Sequence, residues 1–208
     1  MTMRPAAELL LREAAAIEPI LRGTATEDFD RPTVCEGWSV RDVMAHCAAA
    51  LTMAGNGEVH SFTPAENQAD VDTRRSHSIG QVLAELLDGY EAGAAAIDAA
   101  EGRLDGIGLG EWMHGGDIRE ALAITDAYES AGIELALDLL AARSRSLSKP
   151  AVTVRLGDRT LDFGVGEANA TLIADQATFV RICGGRRPDG ARYRIKGEYR
   201  AIDMVLFS

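Results

Sequence analysis

Cysteine is scarce in this chain: Cys35, Cys47 and Cys183 are the only three in 208 residues, with no CxxC pair and no repeated spacing. An odd count without pairing excludes a disulfide framework, and the missing CxxC excludes a zinc ribbon. The expectation is reduced, partly buried thiols without chemistry of their own. Lysine is scarcer still, since Lys149 and Lys196 are the only two and arginine carries nearly all the positive charge. Basic residues number 21 against 32 acidic ones, for a net charge of −11. A phosphate backbone is bound by clustered cations, so nucleic acid is excluded as a partner. Long apolar runs are also lacking. The opening stretch "MTMRPAAELLLREAAAIEPIL" is interrupted by Arg12, Glu13 and Glu18, and no later segment approaches the ~20 apolar residues of a membrane span. These absences point to a cytoplasmic protein with no membrane partner, a monomer or a homodimer.

What is present is ordinary for a globular protein: 47% hydrophobic and 25% charged residues, in a length that allows one good-sized domain or two small ones. Helical spacing runs through Leu9, Leu10, Ala14, Ile17 and Leu21, with Arg12, Glu13 and Glu18 opposite. "GTATEDFDRPTVCEGW" reads as a loop, after which Ser39 and Asp42 have the spacing of an N-terminal cap for a second helix starting near Val40. "GNGEVHSFTPAENQADVDTRR" is polar and punctuated, a long loop with room for a short helix. Helical periodicity returns at "SIGQVLAELLDGYEAGAAAIDAAEG", "GEWMHGGDIREALAI" and "ESAGIELALDLLAARSRSL".

Beyond Pro150 the period changes to two. "AVTVRL" and "RTLDFGV" predict a hairpin around "GD", followed by a short helix closed by Gly184, a strand at "ARYRIKG" and a terminal helix at "EYRAIDMVLF". The fold class is α+β, with a helical domain over 1–148 and a small α+β domain over 149–208.

Two histidines carry the chemical interest. His46 and His114 each sit in a run that otherwise reads as a buried, small-residue helix face, with Glu111 and Asp117 three residues to either side of His114. Two imidazoles from different helices plus a carboxylate form the ligand set of a catalytic zinc site with an open fourth position. The alternative is a pair of core histidines satisfied by backbone carbonyls. The adjacent glycines Gly115 and Gly116 each cost about 1 kcal/mol against alanine in a helix interior, which implies a close approach to that backbone by another element or a ligand.

The block "RPTVCEGWSVRDVMAHCAAAL" resembles the signature of the DinB-like, mycothiol-dependent maleylpyruvate isomerase family, with Pro32, Thr33, Gly37, Trp38, Ser39, Val40, Arg41, Asp42 and His46 matching in order. "HGGDIREAL" is similar to the family's second block, His-x-x-Asp, through His114 and Asp117. The tail resembles the family's small C-terminal domain, including a Gly-Arg-Arg turn at Gly185, Arg186 and Arg187. The resemblance implies a DinB-like up-down helical bundle followed by a sterol-carrier-like α/β domain. It also implies a divalent metal, zinc for choice, held by His46, Glu111 and His114. One departure stands out: the family's carboxylate lies four residues before the second histidine, where this chain has Gly110, and Glu111 is one residue later. The site therefore either uses Glu111, uses two protein ligands with waters, or has lost the metal.

The activity implied is cis-trans isomerisation of a small organic acid through a metal-activated thiolate, with mycothiol as the thiol cofactor. In that scheme Asp117 orients a ligand or the thiol, and Arg186 and Arg187, ahead of Arg192 and Arg194, bind a substrate carboxylate. The same thiolate attacking another electrophile would make the protein a mycothiol- or bacillithiol-type S-transferase. A helical bundle that binds a small ligand without catalysis is the competing class.

Overall fold

The structure is a computed structural model that describes residues 2–186 and 192–207. It divides into two compact units, Met1–Ile133 and Glu134–Ser208, and the architecture is α+β.

The first unit is built on four long helices, α1 (Pro5–Gly23), α2 (Val40–Asn56), α4 (Ile79–Ala99) and α5 (Asp105–Ala121), with the shorter α3 (Pro64–Thr73) lying on α2. α1 begins with proline, whose fixed φ suits the first turn and whose missing N–H is not needed there. Its apolar stripe of Leu9, Leu10, Ile17 and Leu21 is fully buried. α2 starts at the expected cap: Ser39 Oγ accepts from the Asp42 N–H, and Asp42 Oδ2 accepts from the Ser39 N–H at 2.9 Å. α3 falls inside the stretch read as a long loop. Its ends carry strong signals, with Thr63 and Glu66 forming a capping box and Pro64 at the first position, but only Val71 is buried, so no periodic pattern betrays it. Among the described residues no helix is long and apolar enough to cross a membrane.

The second unit contains α6 (Ile133–Ser146), β1 (Pro150–Leu156), β2 (Arg159–Phe163), β3 (Val165–Ala174), α7 (Gln176–Cys183) and β4 (Tyr193–Lys196). The division thus falls at Ile133, not at the expected residue 148. α6 goes with the strands because its polar groups are bonded there. Ser144 Oγ accepts from the Gly164 N–H at 2.7 Å, and Arg143 Nε donates to the Leu206 carbonyl at 3.2 Å.

The sheet order is β2-β1-β3-β4, antiparallel except that β1 and β3 run parallel. Parallel neighbours ordinarily need a long crossover. Here the hairpin strand β2 supplies the return and Gly164 alone makes the crossing. Its φ is +76°, and a Cβ there would stand 2.1 Å from the Pro150 carbonyl oxygen, so glycine is required.

Two sequence expectations are corrected in this unit. β3 is absent from the sequence reading because "GEAN" is small, polar and exposed on both faces, and its pairing with β1 defines it instead. The expected terminal helix is only a 3-10 turn at Ala201–Met204. The tail is held by the Leu206 N–H donating to the Cys183 carbonyl at 2.7 Å, which draws it out of helical geometry.

Candidate metal and thiol site

The segment before α2 is a closed loop. Pro32 pairs with Ser39 as an isolated antiparallel bridge, the Thr33 N–H donates to the Trp38 carbonyl at 2.9 Å, and the Trp38 N–H donates to the Cys35 carbonyl at 2.9 Å. Thr33 Oγ1 accepts from the Cys35 N–H at 3.2 Å. Cys35 and Trp38 are therefore presented from a pinned backbone. The Trp38 indole N–H is bonded to Gln68 of α3 at 3.0 Å.

His46, in the second turn of α2, is 7% exposed. Its ring lies 5.1 Å from that of Trp38, 6.3 Å from Phe62 and 5.2 Å from His114, centroid to centroid. Phe62 adopts φ +56°, a left-handed conformation uncommon for a bulky residue. It is held by hydrogen bonds on both backbone groups: its N–H donates to His60 Nδ1 at 3.0 Å and its carbonyl accepts from Asn67 at 3.1 Å. The other nitrogen of His60 faces Asp70 Oδ2 at 3.0 Å. The polar stretch thus folds into an aromatic wall beside His46.

On α5, His114 Nδ1 lies 3.1 Å from Asp117 Oδ2 and 3.8 Å from Cys35 Sγ, and Cys35 Sγ lies 3.2 Å from the same Asp117 oxygen. The second oxygen of Asp117 accepts from the Tyr128 hydroxyl at 2.6 Å. The glycine pair makes this arrangement possible. A Cβ on Gly116 would stand 2.3 Å from the Tyr128 ring, and one on Gly115 would stand 1.8 Å from Glu13 Oε1. Both bare positions are filled by neighbouring side chains, which accounts for their cost in helix propensity.

Cys35, His114 and Asp117 form a group of possible metal ligands whose donor atoms all lie within 4.8 Å of one another. Tetrahedral zinc with ordinary Zn–S, Zn–N and Zn–O bonds sets its ligand atoms about 3.3–3.6 Å apart. The three observed separations bracket that range, and a thiol, an imidazole and a carboxylate are all donor types that zinc accepts. The residues fit a divalent ion of that character.

Of the expected set His46, Glu111 and His114, the two imidazoles stand 5.2 Å apart ring to ring, while Glu111 is absent from the group formed by Cys35, His114 and Asp117. Glu111 is buried in the bundle interior, where its carboxylate is hydrogen-bonded by Cys47 and its Oε2 atom has no hydrogen-bond partner among the described residues. Burial, with the charge of Glu13 adding to it and the Cys47 bond opposing, pushes its pKa up to about 8. Burial also pushes the Cys47 thiol well above its ordinary value, in keeping with an inert thiol.

Glu13 is fully buried in an ion pair with Arg119, at 2.6 and 3.2 Å, and accepts from Ser130 at 3.3 Å. Burial raises it to about 6 against the pull of Arg119. Neither Glu13 nor Arg119 was singled out from the sequence as a buried pair, because a charged residue on an amphipathic helix ordinarily reads as solvent-facing. Arg186 lies in the second unit, where its guanidinium donates to the Gly184 carbonyl at 2.8 Å. Arg187 lies outside the described residues. Cys35 has no activating neighbour in sequence, although it stands within the block that carries the family resemblance.

A helical bundle bearing a pocket of imidazole, thiol and carboxylate donors, followed by a small α+β unit, defines the class of protein. The chain belongs to the family of the mycothiol maleylpyruvate isomerase N-terminal domain, whose model matches residues 10–131. A crystal structure of the mycothiol-dependent maleylpyruvate isomerase is similar with a TM-score of 0.58 at 14% identity, covering 97% of this chain and 96% of that one. A histidine-to-alanine mutant of that enzyme gives 0.56 at 13%, with the same coverage. At such identity the likeness establishes a shared fold along nearly the whole chain. No curated protein matches the sequence.

Proposed function

We propose that this protein is a metal-dependent enzyme that uses a small thiol cofactor of the mycothiol type, acting on a small organic acid or another electrophile by cis-trans isomerisation. The observation that carries the reading is the convergence of His46 and His114, from separate helices, to 5.2 Å between ring centres, beside the Asp117 carboxylate.

His46 and His114 supply the imidazoles in this proposal, and Asp117 Oδ2, 3.1 Å from His114 Nδ1, sets its carboxylate beside them. Tyr128 in turn fixes Asp117, so the orientation is inherited from the packing at Gly116. A divalent ion held there supplies positive charge that favours a bound thiolate over the thiol. Trp38 and Phe62 flank His46 with apolar surface, which limits water around a reacting thiol and strengthens electrostatic interactions within the pocket.

Metal analysis of the protein purified without added zinc tests the reading, together with a thiol-dependent isomerase assay. Near-stoichiometric metal that is lost in His46→Ala and His114→Ala, and turnover that requires the thiol, support it. A metal-free protein whose melting is unchanged by chelator supports the non-catalytic binder. Metal with thiol consumption but no isomerisation supports the S-transferase.

A further inference from the structure

We infer that Cys35 is a metal ligand in this chain, its sulfur joining His114 Nδ1 and Asp117 Oδ2 to bind a borderline-soft divalent cation such as zinc. The inference rests on the metal-dependent reading above and deepens it by adding Cys35 and Asp117 to the His114 imidazole as donors.

Three independent features converge on Cys35. The position one full turn before His114, where the family resemblance places a carboxylate, is Gly110 and offers no side chain. The neighbouring carboxylate of Glu111 lies in the bundle interior beside Cys47 and outside the Cys35, His114 and Asp117 group. Cys35 Sγ stands 3.8 Å from His114 Nδ1 and 3.2 Å from Asp117 Oδ2, with 3.1 Å between those two atoms. These edges lie within about half an ångström of those expected for tetrahedral S, N and O ligands on one zinc.

The donors are also held in place before any ion arrives. Cys35 is fixed by its N–H to Thr33 Oγ1 and its carbonyl to the Trp38 N–H, and Asp117 by Tyr128 at 2.6 Å. Access is available as well. Cys35 is half-buried, in contrast to the buried Cys47 and Cys183, and the His114 side chain keeps 13% of its surface.

Binding deprotonates the thiol: the S–H bond breaks, a sulfur–metal bond forms, and the proton passes to buffer. No oxidation or reduction is involved.

Cobalt(II) is the probe, titrated into the full-length protein after metal removal. The expected result is an intense near-ultraviolet thiolate-to-cobalt charge-transfer band that appears with one equivalent. The band is absent in Cys35→Ser, which binds cobalt more than about tenfold less tightly. Cys47→Ser and Cys183→Ser retain it. Alkylation read by mass spectrometry provides a check that needs no variant: zinc or cobalt protects Cys35 of the native protein from iodoacetamide. Cobalt binding without the band, or with a band that survives in Cys35→Ser, overturns this inference alone and leaves Cys35 as a hydrogen-bond donor to Asp117. Unchanged alkylation with metal bound does the same. Failure to bind cobalt at all overturns both the inference and the reading beneath it.

Discussion

Helix α5 carries two polar clusters within a few turns of each other, and they are built on opposite physical terms. Toward one side, Glu111 and Arg119 enter the bundle interior, where Arg119 pairs with Glu13 of α1 and Glu111 meets Cys47 of α2. Toward the other, His114 and Asp117 meet Cys35 from the loop before α2. The interior cluster is sealed and holds two carboxylates with one guanidinium, so burial drives Glu111 toward its neutral form. The outer cluster retains some solvent access, mixes sulfur, nitrogen and oxygen donors, and is supported by Tyr128 and the pinned loop. A strongly shifted pKa marks the first, and ligand geometry marks the second. Perturbed titration by itself therefore does not locate the site in this bundle.

The sharpest way to break the comparison is to remove one partner of the sealed pair. Arg119→Met leaves Glu13 buried without its counter-charge, and the expected loss is about 3–5 kcal/mol in urea denaturation. Metal binding to the folded fraction should survive. If the outer cluster loses its metal in step with stability, the two clusters are one unit.

Glu111 offers a test through pH. Burial raises its folded pKa to about 8 from the ordinary 4.5, so the folded state retains a proton that the unfolded chain releases. Stability from this group is fully present below pH 4.5 and declines as pH rises toward 8, by an amount on the order of a few kcal/mol once the carboxyl is forced to ionise. Glu111→Gln should remove that decline. Thermal melts from pH 5 to 9 in both proteins measure the difference, and equal slopes would sink the assignment of Glu111 as the buried acid.

Gly116→Ala acts between the clusters. The added methyl meets the Tyr128 ring, and the expected cost is roughly 1–3 kcal/mol of overpacking. Displacement of the Tyr128 hydroxyl from Asp117 should weaken metal binding more than stability alone explains, read by metal affinity on the folded protein. The smallest effect belongs to Ser39→Ala, which removes the α2 cap at a cost of about 1 kcal/mol. Because α2 carries both His46 and Cys47, this change should lower the melting temperature while leaving cobalt spectra intact.

Much of this was legible in the chain because it depends on local rules. Ser39 and Asp42 announce a helix start wherever they are placed, and the spacing of Leu9, Leu10, Ile17 and Leu21 gives a buried stripe without knowledge of its neighbours. The resemblance led to His46, His114 and Asp117, which share or approach one pocket. It did not lead to Cys35, since nothing adjacent in sequence activates that thiol and its partners are 79 and 82 residues away. Glu111 is set apart from the Cys35, His114 and Asp117 group for a related reason. At three residues from His114 it can lie on the same face by helical arithmetic, yet about 60° of rotation on the 3.6-residue helix is enough to commit it to a different neighbour. α6 was assigned to the bundle because its period is helical, although its Ser144 and Arg143 are bonded to groups of the sheet unit.

What the sequence determined by itself was the content of each segment: where helices begin, where the period changes, and which imidazoles face inward, all consequences of interactions spanning a few residues. Only the tertiary structure decided which carboxylate stands beside His114 and which is sealed away, that Gly115 and Gly116 make room for Glu13 and Tyr128, and that a thiol from a distant loop comes to 3.8 Å from His114 and 3.2 Å from Asp117. Those choices depend on the angles at which packed helices meet, and such angles are set by the whole set of side chains sharing the core.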